Sequence, residues 1–171
     1  LVARVAREAG DGGLSEINLR IWRPVQAMLA QTGTAIDAIE TWGEAAVETR
    51  FDGARIQIHY DGETAELFSR NLEDVTDSLP EVADFVERSL DTPIIIDGEV
   101  VAVGGDGQPL PCQEILRRFR RKHDIAAARE DVTVELRAFD CLHADGDDLL
   151  DAPLERRHER LLELLGEATA E

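Results

Sequence analysis

The chain has 171 residues, 43% hydrophobic and 32% charged, which suits one ordinary globular domain or a part of a larger protein. No apolar run approaches the ~18 residues of a membrane span, and Cys112 and Cys141 lack the short spacing of a zinc site, so two reduced thiols in a cytoplasmic protein are expected. Against 18 basic residues stand 36 acidic ones, a net charge of -18, and Lys122 is the only lysine. Such a surface repels nucleic acid over most of its area and fits a salt-rich cytoplasm, where the screening length falls to ~3 Å at 1 M. An acidic protein of moderate salt, with cations or basic proteins as partners, is the rival reading.

The opening LVARVAREAG carries charges every third or fourth position, so it reads as an amphipathic helix end and not as a signal peptide. It starts at Leu1, as a chain cut from something longer would. GDGG at 10–13 is a linker signal. TAIDAIETWG (34–43) predicts a helix with Thr34 as its cap and Gly43 as its stop. The period then changes to two. ETRFDGARIQIHYDG (48–62) reads as two arms about Phe51-Asp52-Gly53, with ARIQIHY (54–60) a strand, Asp61-Gly62 a hairpin turn and TAELFS (64–69) the returning strand. LPEVADFVERSL (79–90) is helical, with Pro80 near its start.

PIIIDGEVVAV (93–103) is a β-branched run that Asp97-Gly98-Glu99 should interrupt, and GGDG (104–107) closes it. PCQEILRRFRRKHD predicts a further helix, VTVELRAFDCLHADG (132–146) a long strand ending in a turn, and PLERRHERLLELLG (153–166) a capped final helix. Strands joined by hairpin-like turns and flanked by helices predict an α+β fold with mainly antiparallel sheet.

Three expected strand ends carry more polar residues than a bare sheet needs: Glu48, Arg50, Asp52 and Arg55 at the first, FSRN (68–71) at the second, and Asp97-Gly98-Glu99 at the third. RAFD (137–140) adds an aromatic ring. Taken singly, each has a plain structural reading: ordinary turns, a solvated Arg70 and a core Phe139. Taken as a set they suggest a nucleotide pocket, because guanidinium forks suit phosphate and ribose oxygens, a carboxylate such as Glu99 can accept from ribose or help hold magnesium, and a phenyl ring can stack on a purine.

The order Glu48-x-x-x-Asp52-Gly53-x-Arg55, Ser69-Arg70-Asn71, Asp97-Gly98-Glu99-Val100-Val101, Ala138-Phe139-Asp140-x-Leu142 and Asp145-Gly146 resembles the covalent nucleotidyltransferases, above all the ATP-dependent DNA ligases of archaeal type. RPVQAMLAQ (23–31) and QEILRRFRRKHDI (113–125) share the resemblance, which covers nearly the whole chain. Messenger-RNA capping enzymes and RNA ligases are relatives in that superfamily, but LFSRNLEDVT (67–76) and RAFDCLHADGDDLLDAPLERR (137–157) look specifically like DNA ligase.

The resemblance implies most of an adenylation domain at 23–171, preceded at 1–22 by the end of an amino-terminal DNA-binding domain and its linker, without the last motifs or the OB-fold. It implies ATP and Mg2+ as cofactors, nicked duplex DNA as partner, a monomer without membrane attachment, and a role in replication, recombination and repair. By position, Glu48 would accept from the adenine amino group, Arg55 and Arg70 would reach ribose and phosphate, Glu99 would contact ribose or metal, and Phe139 would stack on adenine. Asp52 would tune the nucleophile.

Arg50 departs from the family, which carries at that position the lysine that receives AMP. An amine nucleophile needs a free lone pair, which burial can supply by lowering a lysine's pKa from about 10.4. A guanidinium, with a pKa above ~12 and delocalised electrons, cannot do the same. An inactivated ligase, a degenerate gene copy and a surviving nucleotide- or DNA-binding module all fit. Lys122 lies in a basic helix and is no replacement.

That helix concentrates Arg117, Arg118, Arg120, Arg121 and Lys122, so phosphate contact with DNA is expected there, against a solvated face that offsets nearby acids. Phe119 is expected in the core. His59, His123, His143 and His158 share no ligand spacing and read as surface or hairpin residues.

Overall fold

In the computed structural model, residues 18–120 and 132–166 are described. Five antiparallel strands form one sheet in the order β2-β1-β3-β4-β5, comprising β1 (Ala54–Tyr60), β2 (Ala65–Ser69), β3 (Ile94–Val103), β4 (Thr133–Ala144) and β5 (Asp147–Asp148). Four described helices accompany it: α1 (Ala35–Trp42), α2 (Pro80–Ser89), α3 (Gln113–Arg120) and α4 (Leu154–Leu165). The expected α+β, antiparallel class is the one observed.

Strand alternation sorts the side chains onto two unlike faces. Ile56, Ile58 and Tyr60 of β1 share one face with Leu67, Ile94, Ile96, Val100, Leu136 and Ala138, and these pack with Val82, Ala83 and Val86 of α2, Ile115 of α3 and Leu161 and Leu165 of α4 into one core. The opposite face carries Arg55, Gln57 and His59, which pair across β3 with Glu99, Asp97 and Ile95. The opposite face therefore carries polar side chains among apolar ones, and of these Gln57, His59, Asp97 and Ile95 are themselves buried.

Several local signals act as expected. Thr34 Oγ1 accepts the Asp37 N–H while Asp37 Oδ2 accepts the Thr34 N–H, a reciprocal cap, and Gly43 ends α1 at φ 81°. Asp61 Oδ1 takes the N–H groups of Glu63 and Thr64, which closes the β1–β2 hairpin. Phe119 packs against the core.

Other expectations are corrected. The arm at 48–50 is not a strand: residues 44–50 are exposed and irregular, and pairing starts only where Ala54 meets Val100. Asp97-Gly98-Glu99 does not interrupt β3 or end a strand, since β1 and β4 pair on both sides of it and hold the backbone extended. The final helix lacks a side-chain cap at Pro153, while its expected end at Gly166 is capped by the Gly166 N–H on the Leu162 carbonyl. His59, expected near the surface, is fully buried.

Arg118, expected to face DNA, turns inward: its guanidinium is buried and meets Glu81 of α2 through two hydrogen bonds of 2.5 and 2.9 Å. The apolar stripe of α3 points to the core, and Arg118 lies close enough to that stripe to be carried in with Ile115. Arg117 stays outside and pairs with Glu114 at 2.8 Å. The Arg120 side chain, Arg121, Lys122 and His123 lie outside the described residues.

Candidate functional site

Glu99 lies on β3, the central strand of the sheet. Its Cα partners are Arg55 on β1 and Arg137 on β4, so two guanidinium-bearing residues flank it across the strands. Glu99 accepts the N–H of Gly53, and both Arg50 and Asp52 lie near enough to act on its charge. Burial pushes the Glu99 carboxyl above its ordinary pKa, opposed by the Gly53 N–H, Arg55 and Arg50, and assisted by Asp52. The irregular segment before β1 is thereby brought to the polar face. Asp52 itself accepts the backbone N–H of Cys112 at 3.3 Å, and the Cys112 thiol donates to the Gly53 carbonyl at 2.9 Å.

Arg55 is held from below by Asp97, Nη2 to Oδ2 at 2.6 Å, and its guanidinium carbon stands 5.2 Å from the centre of the Phe139 ring. Phe139 reaches that position through an irregularity in the ladder. Ala138 pairs with Gly98 and Asp140 with Asp97, which leaves Phe139 as the extra residue of a β-bulge. Gly98 allows the strands to close there, for a Cβ on it would meet the Arg137 carbonyl oxygen at 3.0 Å.

Arg70, just past β2, is exposed, and with Arg55, Gln57, Ser69, Leu72 and Asp97 it lines a small recess roofed by Val25 and Ala27. A buried hydrogen-bond chain floors this recess. Gln57 Nε2 donates to Asp97 Oδ1 at 3.1 Å, Gln57 Oε1 accepts the Val25 N–H at 2.8 Å, and the Trp22 N–H donates to His59 Nδ1 at 3.1 Å. His59 Nε2 lies 3.0 Å from Gln57 Oε1, so the ring is neutral and carries its proton on Nε2. Burial, with His143 adding to it, lowers the His59 pKa from 6.5 to about 4.

Arg50, Asp52, Arg55, Arg70, Glu99 and Phe139 are thus gathered at one face. Glu48 is not: it is exposed, and among the described residues it makes no hydrogen bond or ion pair. Sequence reasoning placed Asp97 in a polar strand end and Arg137 in the RAFD segment without giving either a role, and it passed over Gln57. Gln57 lies two residues from Arg55 on the same face of β1 and pairs with Asp97, and Arg137 pairs with Glu99, a signal that the period-two pattern contained.

A family model described as "ATP dependent DNA ligase domain" matches residues 27–171. The chain belongs to that family. The DNA ligase of Natronomonas pharaonis is 66% identical over 170 residues, which are 99% of this chain and 31% of that protein. The DNA ligase of Haloarcula marismortui is 66% identical over 161 residues, 94% of this chain and 29% of that protein. Among solved structures, "mycobacterial DNA ligase D complexed with ATP and MES" matches with TM-score 0.55 and 30% identity, over 72% of this chain and 38% of that one. The DNA ligase domain described here therefore spans under a third of these two relatives' length.

Proposed function

We propose that this ligase domain binds ATP on its polar sheet face and belongs to a longer ligase that seals nicks in duplex DNA when lysine stands at position 50. The observation that carries the proposal is the convergence of Arg55, Arg70, Glu99 and Phe139 on one face, with the 50–53 segment drawn over it. Phe139 takes the adenine ring, Glu99 accepts from ribose, and Arg55 and Arg70 grip ribose and phosphate oxygens. Glu48 would reach the adenine amino group only if its exposed segment folded inward.

Among the described residues no cluster of three or more His, Cys, Asp or Glu stands ready for a metal. Mg2+ would accordingly be held mainly by the triphosphate, with Glu99 and Asp52 the carboxylates at hand, and would neutralise charge on the phosphates. Arg117, with Arg120, Arg121 and Lys122, is assigned to DNA phosphates; Arg118 is withdrawn from that set because Glu81 already holds it. A salt-rich cytoplasm, a monomeric state and a role in replication, recombination and repair complete the reading.

Sealing begins when an amine attacks the α-phosphate of ATP, forming an N–P bond and releasing pyrophosphate; AMP then passes to the 5′-phosphate at the nick, and the neighbouring 3′-hydroxyl displaces it. Arg50 stops this chain before the first step, since its guanidinium offers no free lone pair. A second reading follows from the same residue: a module that holds nucleotide or DNA without covalent chemistry. The two are separated by building the full-length protein with Arg50 and with Arg50→Lys, incubating each with α-labelled ATP and Mg2+, and measuring label that survives denaturation. Label on the lysine form alone supports the ligase reading. Label on both forms, or on neither while the protein is folded, refutes the assignment of position 50.

A further inference from the structure

The Phe139 ring is already occupied. The Arg55 guanidinium lies over it at 5.2 Å, and the arginine side chain, one third exposed, is tied to an Asp97 whose own carboxylate is buried and shared with Gln57. A purine seeking that face meets a cation already seated on it. We infer that Arg55, held by Asp97, determines ligand specificity here: it covers the Phe139 ring, and a purine gains the ring only by displacing the guanidinium onto anionic oxygens of the same ligand.

This inference rests on Phe139 being the adenine platform. Its physical content is an exchange. Displacement costs the cation–π contact and loosens the Asp97 pair, and only a ligand with phosphate oxygens within reach offsets that loss with a charge-assisted bond of its own. An uncharged nucleoside offers the guanidinium only neutral ribose hydroxyls, a weaker exchange than a charge-assisted bond. The site therefore rejects adenosine in favour of nucleotides by means of the same arginine that binds the nucleotide, and phosphate need not contact the base slot for the selection to operate.

The test is equilibrium binding of adenosine and of ATP with Mg2+ to the 171-residue chain by titration calorimetry, in wild type, Arg55→Ala and Phe139→Leu. Because Arg55→Ala leaves Asp97 charged and buried, the double variant Arg55→Ala/Asp97→Asn is measured beside it, with circular dichroism confirming the fold. Both arginine variants should bind adenosine roughly three- to tenfold more tightly and ATP at least ~10-fold more weakly. Adenosine affinity that is unchanged or lower in both, while Phe139→Leu reduces it, overturns this inference and leaves the platform standing. Phe139→Leu without effect on either ligand overturns the platform, and this inference with it.

Discussion

A β carbon added at Gly53 would stand 2.4 Å from the Val100 carbonyl oxygen and 2.7 Å from Cγ of Glu99. The segment that carries position 50 is therefore pressed onto β3 at a point where only glycine fits, and the Gly53 N–H meets the Glu99 carboxylate as a result. Gly53→Ala must push this segment off the strand, at a cost of ~1–3 kcal/mol, the usual range for overpacking. ATP affinity measured by calorimetry should fall by more than the drop in thermal midpoint implies, because Arg50 and Asp52 move away from Glu99 together. A variant that loses stability but binds ATP as before would separate the 50–53 segment from the site.

The Arg118–Glu81 pair supplies a second prediction. Arg118 is buried on α3 and Glu81 sits on α2, so the pair joins two helices beneath the sheet. Glu81→Ala should destabilise the domain by roughly 3–5 kcal/mol, because it strands a buried guanidinium, whereas Glu81→Met with Arg118→Met should lie near wild type. Urea unfolding of the three proteins in concentrated salt reads the difference.

A third concerns pH. The native state holds His59 neutral down to about pH 4, while the unfolded chain takes up its proton near 6.5, so between those values the unfolded state binds more protons and stability falls as pH falls. The full loss is ~3 kcal/mol. Glu99, whose carboxyl is raised in the native state, works in the opposite direction, so the informative comparison is wild type against His59→Gln. Denaturation midpoints followed from pH 7 to pH 4 should slope less steeply in the variant.

A fourth follows from charge. With a net charge of -18, the folded chain repels itself, and the repulsion grows as the screening length lengthens from ~3 Å at 1 M to ~30 Å at 0.01 M. Circular dichroism during dialysis from concentrated to millimolar salt should show loss of structure, reversed when salt is restored. An unchanged spectrum would contradict the salt-adapted reading.

The hairpin at Asp61-Gly62, the cap at Thr34 and the helix after Pro80 were legible in the sequence, because each depends on chemistry within a few residues. What was not legible depends on neighbours distant in sequence. Asp97-Gly98-Glu99 has the composition of a turn, yet strands on both sides keep it extended in the centre of the sheet. Phe139 reads as core by type, and only the extra residue between the Gly98 and Asp97 pairings turns it toward Arg55. Arg118 belongs by sequence to a basic cluster and by helix rotation to the core. Glu48 was singled out as one of the crowded charges at 48–55 and given its adenine role by resemblance, and the fold leaves it exposed without a hydrogen bond or ion pair among the described residues.

In the proposed function the 50–55 segment, Arg70, Glu99 and Phe139 surround a single adenine nucleotide. A crystal structure of the chain grown in concentrated salt with a non-hydrolysable ATP analogue and Mg2+ tests it most directly. The expected map shows adenine against the Phe139 ring, ribose beside Glu99, phosphates toward Arg70 and Arg50, and Arg55 moved off the ring. A nucleotide bound elsewhere, with Arg55 still seated on Phe139, would contradict it.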